Sequence, residues 1–251
     1  MLLYAFAGFA LIVIASFIQK GVNRFQYFCV GASMPLFLVF GLPLGGVTGL
    51  LRPSTLDVAL RNTDLWLGLD GLALTRWMAR EGFSWIVPVV YCALPLMMAV
   101  AWILEHTRTL LRALATVAFL VIPFYLLVPA AGPHYAFADF PMASHHAIAV
   151  AWVYPRNCFP SGHFTWALLL AWNVHDWRWR WVFVVYAALM AIATVASGEH
   201  YFVDLMAAVP FAVLVQAIAQ RKGNHALRNE VRKASIARHF GTDRPGALAH
   251  I

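Results

Sequence analysis

The sequence predicts an all-α fold, a polytopic membrane helical bundle of six to seven transmembrane helices, and three observations predict it. Of the 251 residues, 62% are hydrophobic and only 12% are charged. Mean hydropathy is +0.71. The apolar residues also fall in seven runs separated by charged or polar breaks, and a run of about 20 residues crosses a bilayer. A soluble domain of this length buries one core and still needs a charged surface, so an apolar excess this large makes lipid the solvent. Most soluble enzymes, intrinsic disorder and a coiled coil are thereby excluded. Cys29, Cys92 and Cys158 are scattered without metal-ligand spacing or a disulfide framework and read as structural.

The first run, 2–18, lacks the basic start and small-residue cleavage site of a secretory signal, so it is expected to be a retained helix. The second, 25–51, contains Pro35, Pro43 and several glycines that kink or shorten it. From 52 to 82 charges alternate with apolar residues: Asp57, Arg61, Asp64, Asp70, Arg76, Arg80 and Glu81 are interspersed with leucines and Trp77. This pattern fits one or two amphipathic helices on the membrane surface, or a solvated loop with a few anchors. Further runs follow at 83–104, 109–130, 161–175, 181–197 and 201–220. The run at 161–175 is short and is expected to extend into the region of Trp177 and Trp179. The connection 131–160 carries Pro133, Pro141, Pro155 and Pro160 and is expected to be a structured loop rather than another helix.

These segments divide the chain into an extra N-terminal transmembrane helix (1–24), a membrane core (25–220) and a basic tail (221–251). With the first helix entering from outside, thirteen of the eighteen Lys and Arg residues fall on the inner side. Only Arg52, Arg61, Arg76, Arg80 and Arg156 remain outside. Positive residues concentrate on the cytoplasmic face, so this orientation is favoured and the tail is cytoplasmic. The net charge of +7 is then explained by topology and contact with anionic lipid, and no nucleic-acid partner is expected.

Two short segments carry candidate chemistry. In Phe159-Pro160-Ser161-Gly162-His163, Ser161 is a good N-cap, and the unpaired N–H groups of a helix start form a site for a phosphate or other oxyanion. His163 projects from that first turn. In Gly198-Glu199-His200-Tyr201-Phe202-Val203-Asp204, His200 and Asp204 are four residues apart, on one face of a helix. A carboxylate beside an imidazole fixes its tautomer and makes the other nitrogen more basic or nucleophilic. Asp204 lies in an apolar run, where a carboxylate needs a partner. The helix, short turn and returning helix between His163 and His200 bring both histidines to the same membrane face. Two unrelated helix-start histidines are the plainer alternative.

These residues resemble the type 2 phosphatidic acid phosphatase superfamily. Its second motif is similar to Pro160-Ser161-Gly162-His163, and the His-x-x-x-Asp of its third matches His200 and Asp204. Gly198-Glu199-His200-Tyr201 with Asp204, and less specifically Pro129-Ala130-Ala131-Gly132-Pro133, are most similar to the inositol phosphorylceramide synthase-like branch. The resemblance covers mainly 109–220. It implies phosphoryl transfer through a phosphohistidine without metal or other cofactor. His200 would attack phosphorus, Asp204 would orient it, His163 would protonate the leaving oxygen, and Ser161 and Gly162 would bind phosphate oxygens.

Two usual phosphate-binding cations are missing. Gly45 stands where the first motif has Lys, seven residues before Arg52-Pro53, and Ala193-Thr194 stands where the third motif has Ser-Arg. Arg156 is the first candidate to offset the phosphate charge and His134 the second. The neighbouring His145 and His146 read as solvated. His200 and Asp204 could contribute to a metal site, but no chain-wide ligand set supports one.

The expected function is an integral-membrane phosphotransfer enzyme acting on a lipid phosphate or phosphodiester, as phosphatase or headgroup transferase. Its site would lie on the extracytoplasmic face of the cell's inner membrane. A transporter using His200 and Asp204 as a proton relay is the alternative, but it calls for polar groups near the bilayer midplane, and here they cluster at helix starts. An inactive relative is disfavoured by the presence of both histidines and the aspartate.

Overall fold

A computed structural model describes residues 54–105, 107–140 and 158–239. The runs 2–18 and 25–51, Gly45, Arg52, His145, His146 and Arg156 lie outside these residues, as does the end of the tail beyond 239. Every regular element among the described residues is a helix.

The 52–82 stretch resolves into two helices rather than a loop, α1 (Asp57–Trp66) and α2 (Gly71–Arg80). Each turns one narrow face inward: Asp57, Leu60 and Asp64 are buried on α1, and Leu72, Thr75 and Met78 on α2. Spacings of three and four residues put each set on one stripe. Asp70 caps α2, its side chain accepting from Ala73 N at 3.1 Å. Leu65, Trp66 and Trp77 remain exposed.

α3 (Ile86–Glu105) and α4 (Arg108–Leu127) follow, then a single turn, α5 (Pro133–Ala136), inside the segment expected to be loop. Pro133 starts that turn where its missing N–H costs nothing. The remaining helices are α6 (Gly162–Asn173), α7 (Trp177–Ala196) and α8 (Phe202–His239). Among the described residues, four helical segments are long and apolar enough to cross a membrane: Ile86–Glu105, Thr109–Leu127, Trp177–Ala196 and Phe202–Arg221.

α6 differs from expectation. It has 12 residues and stops at Asn173, and Trp177 opens α7 instead of extending α6. The cause is local, because the Asp176 side chain accepts from Arg178 N at 2.9 Å and starts a new helix. Glu105 at the end of α3 fastens the turn, accepting from His175 N and pairing with His175 Nδ1 at 2.9 Å. At about 1.5 Å per residue, α6 is shorter than the hydrocarbon layer.

This short helix is the centre of the bundle, with α3, α4, α7 and α8 all packed against it. Leu169 and Leu170 are fully buried, and Trp166 Nε1 donates to Leu114 O at 3.1 Å. Near its C-terminus Asn173 and Gln216 of α8 exchange amide hydrogen bonds of 2.9 and 3.1 Å. Away from this core the long helices turn apolar side chains outward, among them Phe119, Leu127, Trp181, Val185 and Val213. Such a surface is suited to lipid rather than water.

Candidate active site

The opposite end of α6 meets the start of α8. Ser161 caps α6, its hydroxyl accepting from Phe164 N at 3.4 Å, and is itself fully buried. Ser161 N donates to Asp204 O at 3.4 Å, which joins the two helix starts. His163 leaves the first turn of α6 with its ring tilted against Tyr91 of α3, centroids 4.7 Å apart, and edge-on to Trp166 at 6.2 Å. The two histidine-bearing segments therefore meet at this join between Ser161 and Asp204.

His200 is not helical, because α8 begins two residues later at Phe202. Its N–H donates to Thr194 O at 3.1 Å. Asp204 folds back from the first turn so that Oδ2 lies 3.3 Å from His200 Nδ1 and accepts from Tyr201 N at 2.8 Å. With Nδ1–H donating to this carboxylate, the neutral ring keeps its lone pair on Nε2. Both residues are buried, yet Asp204 Oδ1 has no hydrogen-bond partner among the described residues.

Cys158 also reaches this pair. Its Sγ donates to Asp204 Oδ2 at 2.7 Å and lies 3.6 Å from His200 Nδ1. Burial, reinforced by the neighbouring Asp204 carboxylate, pushes the thiol well above its ordinary pKa and keeps it protonated.

Two glycines allow the loops to close. Gly132 has φ +102°, and a Cβ there would lie 2.5 Å from Glu199 O. Gly198 has φ +73°, and a Cβ there would lie 2.9 Å from His134 Cβ. His134 fits against this turn, its N and Nδ1 each 2.9 Å from Gly198 O, while Nε2 is 3.8 Å from Glu199 Oε1. His134 therefore helps hold the loop that carries His200.

Sequence reasoning missed the carboxylates that support this arrangement. Asp57 accepts from Ala131 N and Gly132 N, the latter at 2.9 Å, and from the Tyr201 hydroxyl at 2.8 Å. Asp64 accepts from Phe202 N at 2.7 Å and Val203 N at 2.8 Å, so α1 caps α8 from outside. Burial raises the Asp64 pKa against the pull of these two N–H groups. The seven-residue spacing of Asp57 and Asp64 on a short amphipathic helix was the available signal, since it puts both on the inward stripe.

A small cleft, with room for about one water molecule, lies beside this centre and is lined by residues including Arg61, Asp64, Pro133, Phe140, His200 and Tyr201. Arg61 pairs with Asp139 at 2.7 and 3.3 Å and lies over the Phe137 ring at 4.4 Å. The guanidinium holds the Asp139 carboxyl below its usual range. The amphipathic stretch thus brings a cation to the same cleft as His200. Arg156 lies outside the described residues.

An all-helical bundle with, among the described residues, four membrane-length apolar helices defines an integral membrane protein. A family model described as the PAP2 superfamily matches residues 58–218, and the chain belongs to that superfamily of phosphatases and phosphotransferases. The matched region contains His163, His200 and Asp204, and also Arg61 and Asp64. No curated protein and no solved structure matches the chain.

Proposed function

We propose that the protein transfers the phosphoryl group, or phosphate-bearing headgroup, of a membrane lipid through a phosphohistidine on His200. The observation that carries this reading is the His200 Nδ1–Asp204 Oδ2 contact of 3.3 Å, with the start of α6, which carries His163, tied to Asp204 through Ser161 N. Substrate phosphate oxygens bind at that helix start, against the Ser161 hydroxyl and Gly162 N–H. His200 Nε2 attacks phosphorus while Asp204 stabilises the positive charge developing on the ring. His163 delivers a proton to the leaving lipid oxygen. In the second half, water or a lipid hydroxyl gives its proton to His163 and attacks the phosphohistidine, regenerating His200. Arg156 and His134 offset the phosphate charge. No metal takes part.

The acceptor distinguishes a phosphatase from a transferase of the inositol phosphorylceramide synthase-like kind, and the resemblance of 198–204 supports the transferase. The substrate enters from the extracytoplasmic leaflet of the cell's inner membrane.

Purified protein in detergent, offered lipid phosphates and phosphodiesters, is expected to release phosphate or exchange headgroups in the presence of chelator. His200→Ala and His163→Ala should each lose at least about 100-fold in turnover while remaining folded. Full activity in His200→Ala would sink the mechanism, and abolition by chelator would replace it with metal catalysis. A requirement for a second, hydroxyl-bearing lipid identifies a transferase.

A further inference from the structure

Cys158 sits against both members of the nucleophilic pair, and the mechanism above makes no use of it. The three separations, 2.7 Å from Sγ to Asp204 Oδ2, 3.6 Å from Sγ to His200 Nδ1 and 3.3 Å from Nδ1 to Oδ2, describe a compact triangle. A point about 2 Å from each corner exists for a triangle of this size, which is the range of zinc bonds to nitrogen and oxygen and slightly short of zinc–sulfur. Thiolate, imidazole and carboxylate together suit a borderline-soft divalent ion of the zinc class. Tyr201 N donates to the same Asp204 Oδ2 at 2.8 Å and so orients the carboxylate. Asp204 Oδ1 is buried without a partner among the described residues, so this carboxylate has unused acceptor capacity. His200 also lines the small cleft beside this centre.

We propose that Cys158, His200 and Asp204 form an inhibitory site for a zinc-class cation, with water in the fourth position. Binding takes Cys158 as thiolate and releases its proton to solvent. It also takes the Nδ1 lone pair of His200, so the proton that Nδ1 carried moves to Nε2 and the ring stays neutral. Nε2 then has no lone pair with which to attack phosphorus. The ion site stands on the geometry alone, whereas its inhibitory effect rests on His200 being the nucleophile.

The full chain in detergent, stripped with chelator, is titrated with zinc and separately with cadmium, whose thiolate complexes absorb in the ultraviolet. One ion per chain and a cadmium–thiolate band are expected in the wild type. The band should persist in Cys92→Ala and disappear in Cys158→Ser, which preserves side-chain size, and in Cys158→Ala. Zinc should inhibit turnover reversibly, and Cys158→Ser should need at least about tenfold more zinc for half-inhibition. A band that survives in both Cys158 variants, or no bound ion in the wild type, overturns the site and leaves the phosphohistidine reading intact. Cys158-dependent binding with undiminished turnover overturns the inhibitory role. Failure of the phosphohistidine reading shows separately, as activity in His200→Ala.

Discussion

Gly132 and Gly68 both have positive φ, +102° and +76°, but only Gly132 faces another backbone group. A side chain at Gly68 costs roughly 1–2 kcal/mol, whereas Gly132, with ψ 153°, lies in a region almost restricted to glycine. At Gly132 the new Cβ would also lie 2.5 Å from Glu199 O, whereas at Gly68 nothing lies within 4 Å. Gly132→Ala is therefore expected to destabilise by at least about 2 kcal/mol and to reduce turnover, because Glu199 immediately precedes His200. Gly68→Ala should cost about 1 kcal/mol and leave turnover unchanged. Thermal unfolding of both variants in one detergent, with activity measured in parallel, checks the order. Ser161, His163, His200 and Asp204 were legible as candidates because each motif is a few consecutive residues with its own helix start. Cys158 was read as structural, because its neighbours Asp204 and Glu199 are more than forty residues away in the chain.

At the scale of elements, α1 serves as the cap for α8. Asp64→Ala removes the acceptor for Phe202 N and Val203 N and is expected to cost about 1–2 kcal/mol, with Asp64→Asn intermediate because its single carbonyl oxygen still accepts. The pH dependence has a definite sign. Burial raises the Asp64 pKa above its ordinary 3.8, so between that value and the raised one the folded chain holds more proton than the unfolded chain. The contribution of Asp64 to stability therefore falls as pH rises through that interval, and the gap between wild type and Asp64→Ala should narrow. Unfolding curves for the two proteins across the interval test this, and a widening gap would contradict it. The sequence periodicity announced α1 as a possible amphipathic helix but not its role, since a capping carboxylate and a solvated one look alike until the helix start that it caps is placed. The end of α6 was misjudged for a related reason. A run of apolar residues followed closely by Trp177 and Trp179 reads as continuous, and the Asp176 cap divides it.

For the whole molecule, composition was sufficient to assign the all-helical membrane class, and the charge distribution supplies an orientation that can be tested. A tag placed after residue 251 should be protected from protease in sealed right-side-out membranes and cleaved once they are opened. Digestion without opening would reverse the proposed sidedness. What composition could not give is how distant segments complete the centre, which depends on pairings 138 to 144 residues apart along the chain. Those pairings also impose an order on biogenesis. Asp64 leaves the ribosome long before Phe202 and Val203, its two N–H donors, and Asp57 long before the Tyr201 hydroxyl, although Ala131 N and Gly132 N reach Asp57 earlier. Until the start of α8 is made, Asp64 must stay hydrated or borrow other partners. The last described helix is thus the one that completes the first, and a chain halted before residue 201 leaves Asp64 without either of its N–H donors.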